Sequence, residues 1–268
     1  MMMETQNPGQ TLRKKLRGGQ TTLGLWVTLE SPAVSEIAAH IGLDWICIDA
    51  EHAGLDLQDI ANHLRAISRS STAGLVRIPG IDQGFIQRVL GLGAHGILVP
   101  RIRTAEEVER AVSFAKYPPR GSRGMGVERA TLWGKGRSRS QQADQDTIIV
   151  PFIETLDAAK NLEAIMRVPD ITGFFFGPAD FSASAGHVGE WEGPGIADEI
   201  LRIKDRVRAQ GFACGIVATD ATNGKTRSEQ GFQMIGLGVD CSLFVKAVTE
   251  MMSGLDRPLD PAVWTRPA

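Results

Sequence analysis

The hydrophobic positions of this chain fall into short continuous runs rather than alternating ones. Eight recur: Leu23–Leu29, Trp45–Ile48, Leu75–Ile78, Gly96–Val99, Ile148–Ile153, Gly173–Phe176, Phe212–Val217 and Met234–Leu237. Runs of this length suit strands buried on both faces, as in a parallel sheet. Between them lie segments with helical spacing: Pro32–His40, Leu57–Ser68, Phe85–Leu92, Thr104–Tyr117, Leu156–Met166, Ile196–Gln210, Ala221–Gln230 and Leu243–Met252. Ser31 stands where an N-cap is wanted, with proline at the first helical position. Thr104-x-x-Glu107 reads as a capping box. Strand starts lie about 30 residues apart, the length of a βαβ unit. Eight strands with eight crossovers predict a (β/α)₈ TIM barrel, which takes about 250 residues. A doubly wound sheet is the alternative, but no G-x-G-x-x-G follows the first strand. The organisation expected is one α/β barrel over residues 1–253 and a proline-containing tail over 254–268, with a possible inter-subunit contact.

Two connections are too long for ordinary loops, Tyr117–Thr147 and Gly177–Gly195. Stretches of that length in a compact domain are usually lids or interface segments. The second follows a strand, on the face where barrel enzymes keep their sites.

Composition narrows the partners. The 268 residues carry 29 basic and 31 acidic side chains. Such balance gives no electrostatic reason to expect nucleic acid or an anionic membrane. The arginine-rich stretch Arg120–Arg139 has only Trp133 as an aromatic platform and reads as a solvated or inter-subunit loop. No apolar run approaches the ~20 residues that span a bilayer. Cys47, Cys214 and Cys241 form no C-x-x-C pair, which fits a reducing compartment. Met1–Gln6 lacks the basic-then-apolar pattern of a secretory signal, so a cytoplasmic protein is expected. Thirty glycines against one tyrosine point to many tight turns, or to a backbone that something approaches closely.

In a parallel barrel, polar residues just past the strands' C-terminal ends converge on one site. Here they are Asp49-Ala50-Glu51-His52 after the second strand, Arg77 near the end of the third, Glu154 after the fifth, and Gly177-Pro178-Ala179-Asp180 after the sixth. Glu154 and Asp180 would project from adjacent strands about 5 Å apart. Carboxylates that close repel unless a proton or cation lies between them. With no histidine or cysteine cluster beside them, they suit Mg²⁺ or Mn²⁺ better than a closed zinc site. They are equally readable as solvated loop carboxylates, with Asp180 as a helix N-cap. Arg77 interrupts an apolar strand and needs a partner: a planar anion such as a carboxylate or enolate, or an internal salt bridge to Asp49 or Glu51. His52 alone among five histidines sits at a strand end within a cluster of acids, where it is either structural or a general base. Backbone N–H groups around Gly177–Asp180 are either a simple turn or a cradle for a substrate carboxylate.

These stretches, together with Gly24-Leu25-Trp26, Asp44–His52, Val76-Arg77, Gly93–Pro100, Tyr117–Gly124, Ile153-Glu154-Thr155 and Gly177–Ser182, resemble the HpcH/HpaI family in collinear order from about residue 11 to 253. These are class II, metal-dependent pyruvate aldolases, typified by 4-hydroxy-2-oxoheptanedioate aldolase. The resemblance implies that Glu154 and Asp180 bind a divalent ion (Mg²⁺, Mn²⁺ or Co²⁺), with Asp49 and Glu51 behind them and Glu51 touching the ion's water shell. It implies that pyruvate, or another 2-oxo acid, chelates the ion. The substrate carboxylate would be held along Gly177, Pro178, Ala179 and Asp180, Arg77 would stabilise the enolate oxygen, and His52 would act in proton transfer. No Schiff-base lysine is needed, and none of the eight runs contains a lysine. Two positions depart from the family pattern: Gly91 replaces an acid that pairs with the histidine, and Phe152 replaces a polar residue. Family members form hexamers with the last helix exchanged between neighbours, and Arg123 is a candidate to reach a neighbouring site. The expected activity is reversible aldol cleavage of 4-hydroxy-2-oxo acids to a 2-oxo acid and an aldehyde. A CoA-ester lyase on the same site, or a catalytically idle barrel serving in binding or assembly, are the alternatives.

Overall fold

The eight apolar runs become eight parallel strands: β1 (Thr22–Val27), β2 (Trp45–Asp49), β3 (Ala73–Arg77), β4 (Gly96–Val99), β5 (Ile148–Ile153), β6 (Gly173–Phe176), β7 (Ala213–Val217) and β8 (Met234–Val239). They pair in sequence order and β8 returns to β1, closing a barrel. A closed barrel leaves no unpaired edge, so the doubly wound alternative is excluded. The computed structural model describes residues 7–135, 144–191, 193 and 195–257. Part of the Arg120–Arg139 stretch and most of the proline-containing tail lie outside the described residues.

The helices follow in chain order: α1 (Pro8–Arg17), α2 (Pro32–His40), α3 (Leu57–Ala66), α4 (Gln83–Gly91), α5 (Ala105–Ala115), α6 (Leu156–Lys160), α7 (Leu162–Met166), α8 (Pro178–Ser184), α9 (Ile196–Ala209), α10 (Ala221–Glu229) and α11 (Asp240–Gly254). The capping box at Thr104 and Glu107 forms as expected. Ser31 precedes α2 but its side chain makes no capping bond. The helix expected over Leu156–Met166 is divided at Asn161, whose side-chain amide donates to the Arg103 carbonyl oxygen. Strand β1 stops at Val27 because the amides of Thr28 and Leu29 turn to the carboxylate of Asp240 at the start of α11.

Strand parity divides the core into two layers. One residue of each pair points into the barrel, where Trp26, Trp45, Cys47, Leu75, Leu98, Phe152, Phe175 and Met234 pack together. Its neighbour points outward to the helices, as do Val27, Ile48, Val76, Ile153 and Phe176. Trp45 is accommodated because Gly24 on β1 has no side chain; a Cβ there would lie 2.0 Å from the indole.

Helix α1 was not anticipated. Asn7 caps it by accepting from the Gly9 amide, Pro8 begins it, and lysine and arginine occupy its last turn. Leu12 and Leu16, one turn apart, enter the barrel-interior cluster beside residues at the strands' N-terminal ends, such as Trp45, Ala73 and Ile148. This helix stoppers the end of the barrel opposite the polar strand termini. All three cysteines are free thiols, two of them buried. No helix among the described residues is long and apolar enough to cross a membrane.

Candidate active site

Parity also builds the site. Cys47, Leu75, Phe152 and Phe175 point into the barrel, so two residues further on Asp49, Arg77, Glu154 and Gly177 point the same way at its open end. Asp49 and Arg77 are direct partners in the β2–β3 register. The Arg77 guanidinium donates through Nε (2.9 Å) and Nη2 to the two Asp49 oxygens, and its Nη1 lies 3.2 Å from Glu51 Oε2. The internal salt bridge is therefore formed. Hydrogen bonds to Asp49 occupy two of the five guanidinium N–H groups, and the contact with Glu51 is an ion pair without a hydrogen bond, so N–H groups remain for a ligand. Beneath the guanidinium, 5.7 Å from its carbon, lie the rings of Trp26 and Phe152. Phe152 thus forms part of an aromatic floor with Trp26 and Phe175.

Asp49, 1% exposed, also accepts from the backbone amides of Glu51 and His52 and so shapes the turn after β2. Burial raises the Glu51 carboxyl above its usual range, against the opposing pull of Arg77, His52 and Arg101. His52 extends to solvent with Nε2 3.7 Å from Glu51 Oε2.

Glu154 is 2% exposed. Its carboxyl is pushed up to about 7, chiefly by burial and further by the charges of Asp180 and Glu51; the Arg101 amide, which donates to Oε1, pulls the other way. Its Oε2 lies against Gly177, where a Cβ would sit 2.7 Å away. Asp180 is exposed, in the first turn of α8 rather than at its N-cap, which is Gly177. Asp180 follows β6, the neighbour of β5, and its charge is felt at Glu154. Among the described residues no group of three or more His, Cys, Asp or Glu is placed to hold a metal ion. Two protein carboxylates would leave the remaining positions of a divalent ion to oxygen atoms of substrate and water.

Two further positions named from the sequence lie away from these strand ends. Gly91 ends α4, whose first residue follows the open end of the barrel, so position 91 lies roughly 12 Å further down the helix. A Cβ there meets nothing within 4 Å. Arg123, expected to reach a neighbouring molecule, is 5% exposed and stacks on Tyr117 at 4.6 Å.

One site residue was overlooked. Arg101, the second residue past β4, adopts a left-handed backbone (φ 50) that aims its amide at Glu154. Its Nε lies 3.0 Å from Glu51 Oε1, and Nη2 reaches the Pro79 carbonyl oxygen at 3.4 Å. The signal was present: it is a polar residue just past a strand's C-terminal end, like the others.

Known proteins resemble this chain over nearly its whole length. It is 35% identical over 243 residues to 2-keto-3-deoxy-L-rhamnonate aldolase of Klebsiella pneumoniae, covering 90% of this chain and 91% of that one. It is 34% identical over 246 residues to hydroxypyruvate/pyruvate aldolase of Pseudomonas aeruginosa, covering 91% and 92%. The crystal structure of an HpcH/HpaI aldolase/citrate lyase family protein from Burkholderia cenocepacia superposes with a TM-score of 0.88 at 31% identity, over 92% of this chain and 99% of that one. Matched over residues 22–247, the chain belongs to the HpcH/HpaI aldolase/citrate lyase family.

Proposed function

We propose that this protein is a divalent-metal-dependent aldolase that cleaves and forms 4-hydroxy-2-oxo acids through the enolate of pyruvate or a close 2-oxo acid. The observation that carries this reading is the buried Glu154 carboxyl, which feels the charge of Asp180, with Arg77 at the end of β3 on the same inward-facing parity. A carboxyl pushed up to about 7 by burial and like charge gains stabilisation when a cation replaces its proton. Glu154 Oε2 and Asp180 would hold Mg²⁺ or Mn²⁺, with Co²⁺ a further candidate, while Asp49 and Glu51 would stand behind them, Glu51 toward the ion's water. When bound, the ion supplies Lewis acidity toward the carboxylate and C2 carbonyl of a 2-oxo acid.

The remaining steps fall to the chain. Gly177 and Pro178 leave room for a substrate carboxylate to approach the amides of Ala179 and Asp180. The spare N–H groups of Arg77 face the C2 oxygen as negative charge develops on it. In cleavage the C3–C4 bond breaks, its electron pair passes toward the C2 oxygen, and the 4-hydroxyl proton leaves to give the aldehyde. His52 moves that proton, and a proton returned to C3 completes pyruvate. In the synthetic direction the same steps run backwards.

The CoA-ester lyase alternative has less support, since the relatives near 35% identity carry aldolase names. An assembly role has support of its own kind: α11 exposes Leu243, Phe244, Val248 and Met251. We place this helix against other copies of the chain, in a hexamer, and the protein in the cytoplasm, in keeping with its free thiols. Light scattering reads the first.

The test is ¹H–²H exchange of the pyruvate methyl group with Mn²⁺ and with EDTA. Exchange that depends on the metal, and is abolished in Glu154→Ala and Asp180→Ala, supports the reading. Absence of exchange in the wild-type protein with Mn²⁺ overturns it.

A further inference from the structure

We propose that Arg101 selects the aldehyde partner, and that this partner carries a carboxylate. The inference rests on the aldolase reading and deepens it. The two guanidiniums of the site stand in different layers. Arg77 is 11% exposed on its side chain and has its three nitrogens on Asp49 and Glu51. Arg101 is 62% exposed and makes one ion pair, through Nε to Glu51, plus one long bond to a carbonyl oxygen. By donor count, three of its five N–H groups remain open.

Depth assigns the two arginines to different reactants. The 2-oxo acid has its carboxylate near α8 and its C2 oxygen near Arg77, and so occupies the inner layer over the aromatic floor. The second reactant has to approach from solvent, through the outer layer where Arg101 stands between the ends of β3 and β5. The inner acids already answer the charge of Arg77. The outer edge of Arg101 has no acid of the described residues on it, and a guanidinium edge matches a carboxylate with two parallel hydrogen bonds. The left-handed backbone at Arg101 holds the residue here: the same turn that sends its amide down to Glu154 sends its side chain across to Glu51. A neutral polyhydroxy aldehyde would leave this cation with water alone.

The experiment compares acceptors of equal length within each protein, so that the shared pyruvate half of the reaction cancels. Addition of pyruvate to 4-oxobutanoate is measured against butanal, and addition to glyoxylate against glycolaldehyde, in the presence of Mn²⁺. Wild-type protein should favour the carboxylated member of at least one pair by about tenfold to a hundredfold in kcat/KM, the range of one charge-assisted contact. In Arg101→Met that ratio should collapse toward one, mainly through KM. Arg101→Lys should retain part of it. Arg101→Gly, which suits the left-handed backbone and keeps the amide, should collapse it as Met does. Ratios unchanged in Met and Gly variants, or no preference in the wild-type protein, overturn the assignment while metal-dependent methyl exchange still supports the aldolase. Loss of that exchange in the wild-type protein refutes the aldolase reading itself.

Discussion

Glu154→Gln should stabilise the metal-free protein at alkaline pH and not at acid pH. The Glu154 carboxyl is raised from an ordinary value of 4.5 to about 7 in the folded chain. An acid raised in this way is protonated in both folded and unfolded chains below 4.5, so it costs nothing there. As pH rises, the unfolded chain releases its proton first and the folded chain loses stability, until the cost is complete above 7. At about 1.4 kcal/mol for each tenfold change in proton affinity, the full cost is about 3 kcal/mol. Between about pH 5 and pH 8 the wild-type protein should therefore lose about 2.5 kcal/mol relative to Glu154→Gln. The glutamine has nearly the same shape and keeps an oxygen for the Arg101 amide, so packing differences cancel between the two pH values. Urea unfolding in EDTA at both pH values measures the change. The same difference between variant and wild type at the two pH values would show that the carboxyl is not held protonated by its surroundings, and the argument for a cation there would lose its electrostatic basis.

Three further outcomes test neighbouring parts of the structure. Gly177→Ala places a Cβ within 2.7 Å of Glu154 Oε2; Mn²⁺ affinity, read by electron paramagnetic resonance, should fall about tenfold or more, and an unchanged affinity would remove Oε2 from the proposed ion site. Asp49→Asn leaves the Arg77 guanidinium with half of its main partner and should cost about 3 kcal/mol in urea unfolding; no loss would mean that the Asp49–Arg77 pair is not holding the two strand ends. Leu12→Ala opens a cavity beneath the barrel at a side chain 1% exposed, for a cost of about 2–5 kcal/mol, while Mn²⁺ affinity stays at the wild-type value. A wild-type urea midpoint in that variant would refute the role of α1 as a stopper.

The barrel and most of the site were legible because both depend on local periodicities. Continuous apolar runs such as Leu75–Ile78 and Gly173–Phe176 mark strands buried on two faces, and the residues just past them must emerge at one end of a parallel barrel. Position alone thus nominated Asp49, Glu51, His52, Arg77, Glu154 and Asp180. Less legible were features in which a residue leaves its own element to satisfy another. Asn161 breaks a helix to reach Arg103, and Thr28 leaves a strand for Asp240. Helix α1 lay before the first strand, where the βα rhythm offers no guide, although Asn7-Pro8 followed by Leu12 and Leu16 spelled out a capped amphipathic turn.

Arg101 and Gly91 show where reading by position needs the third dimension. Arg101 follows Pro100, after which an extended chain would carry its side chain away from the acids. The left-handed turn costs about 1–3 kcal/mol in a residue with a Cβ, and it is offset by an amide on a buried carboxyl and a guanidinium on a second one. Its place just past β4 is visible in the sequence, but the turn that brings it back to the acids is not. Gly91 is the converse. A resemblance in sequence set it beside His52, but α4 runs from the open end of the barrel toward the stoppered end and leaves it there facing empty space. His52 is then oriented in its own chain by what surrounds it there: Asp49 holding its amide, and Glu51, fixed between Arg77 and Arg101, standing 3.7 Å from its ring. The arginine that selects the acceptor would therefore also help position the carboxylate nearest the proton-transfer histidine, and its replacement should move the pH profile of methyl exchange as well as the acceptor ratio.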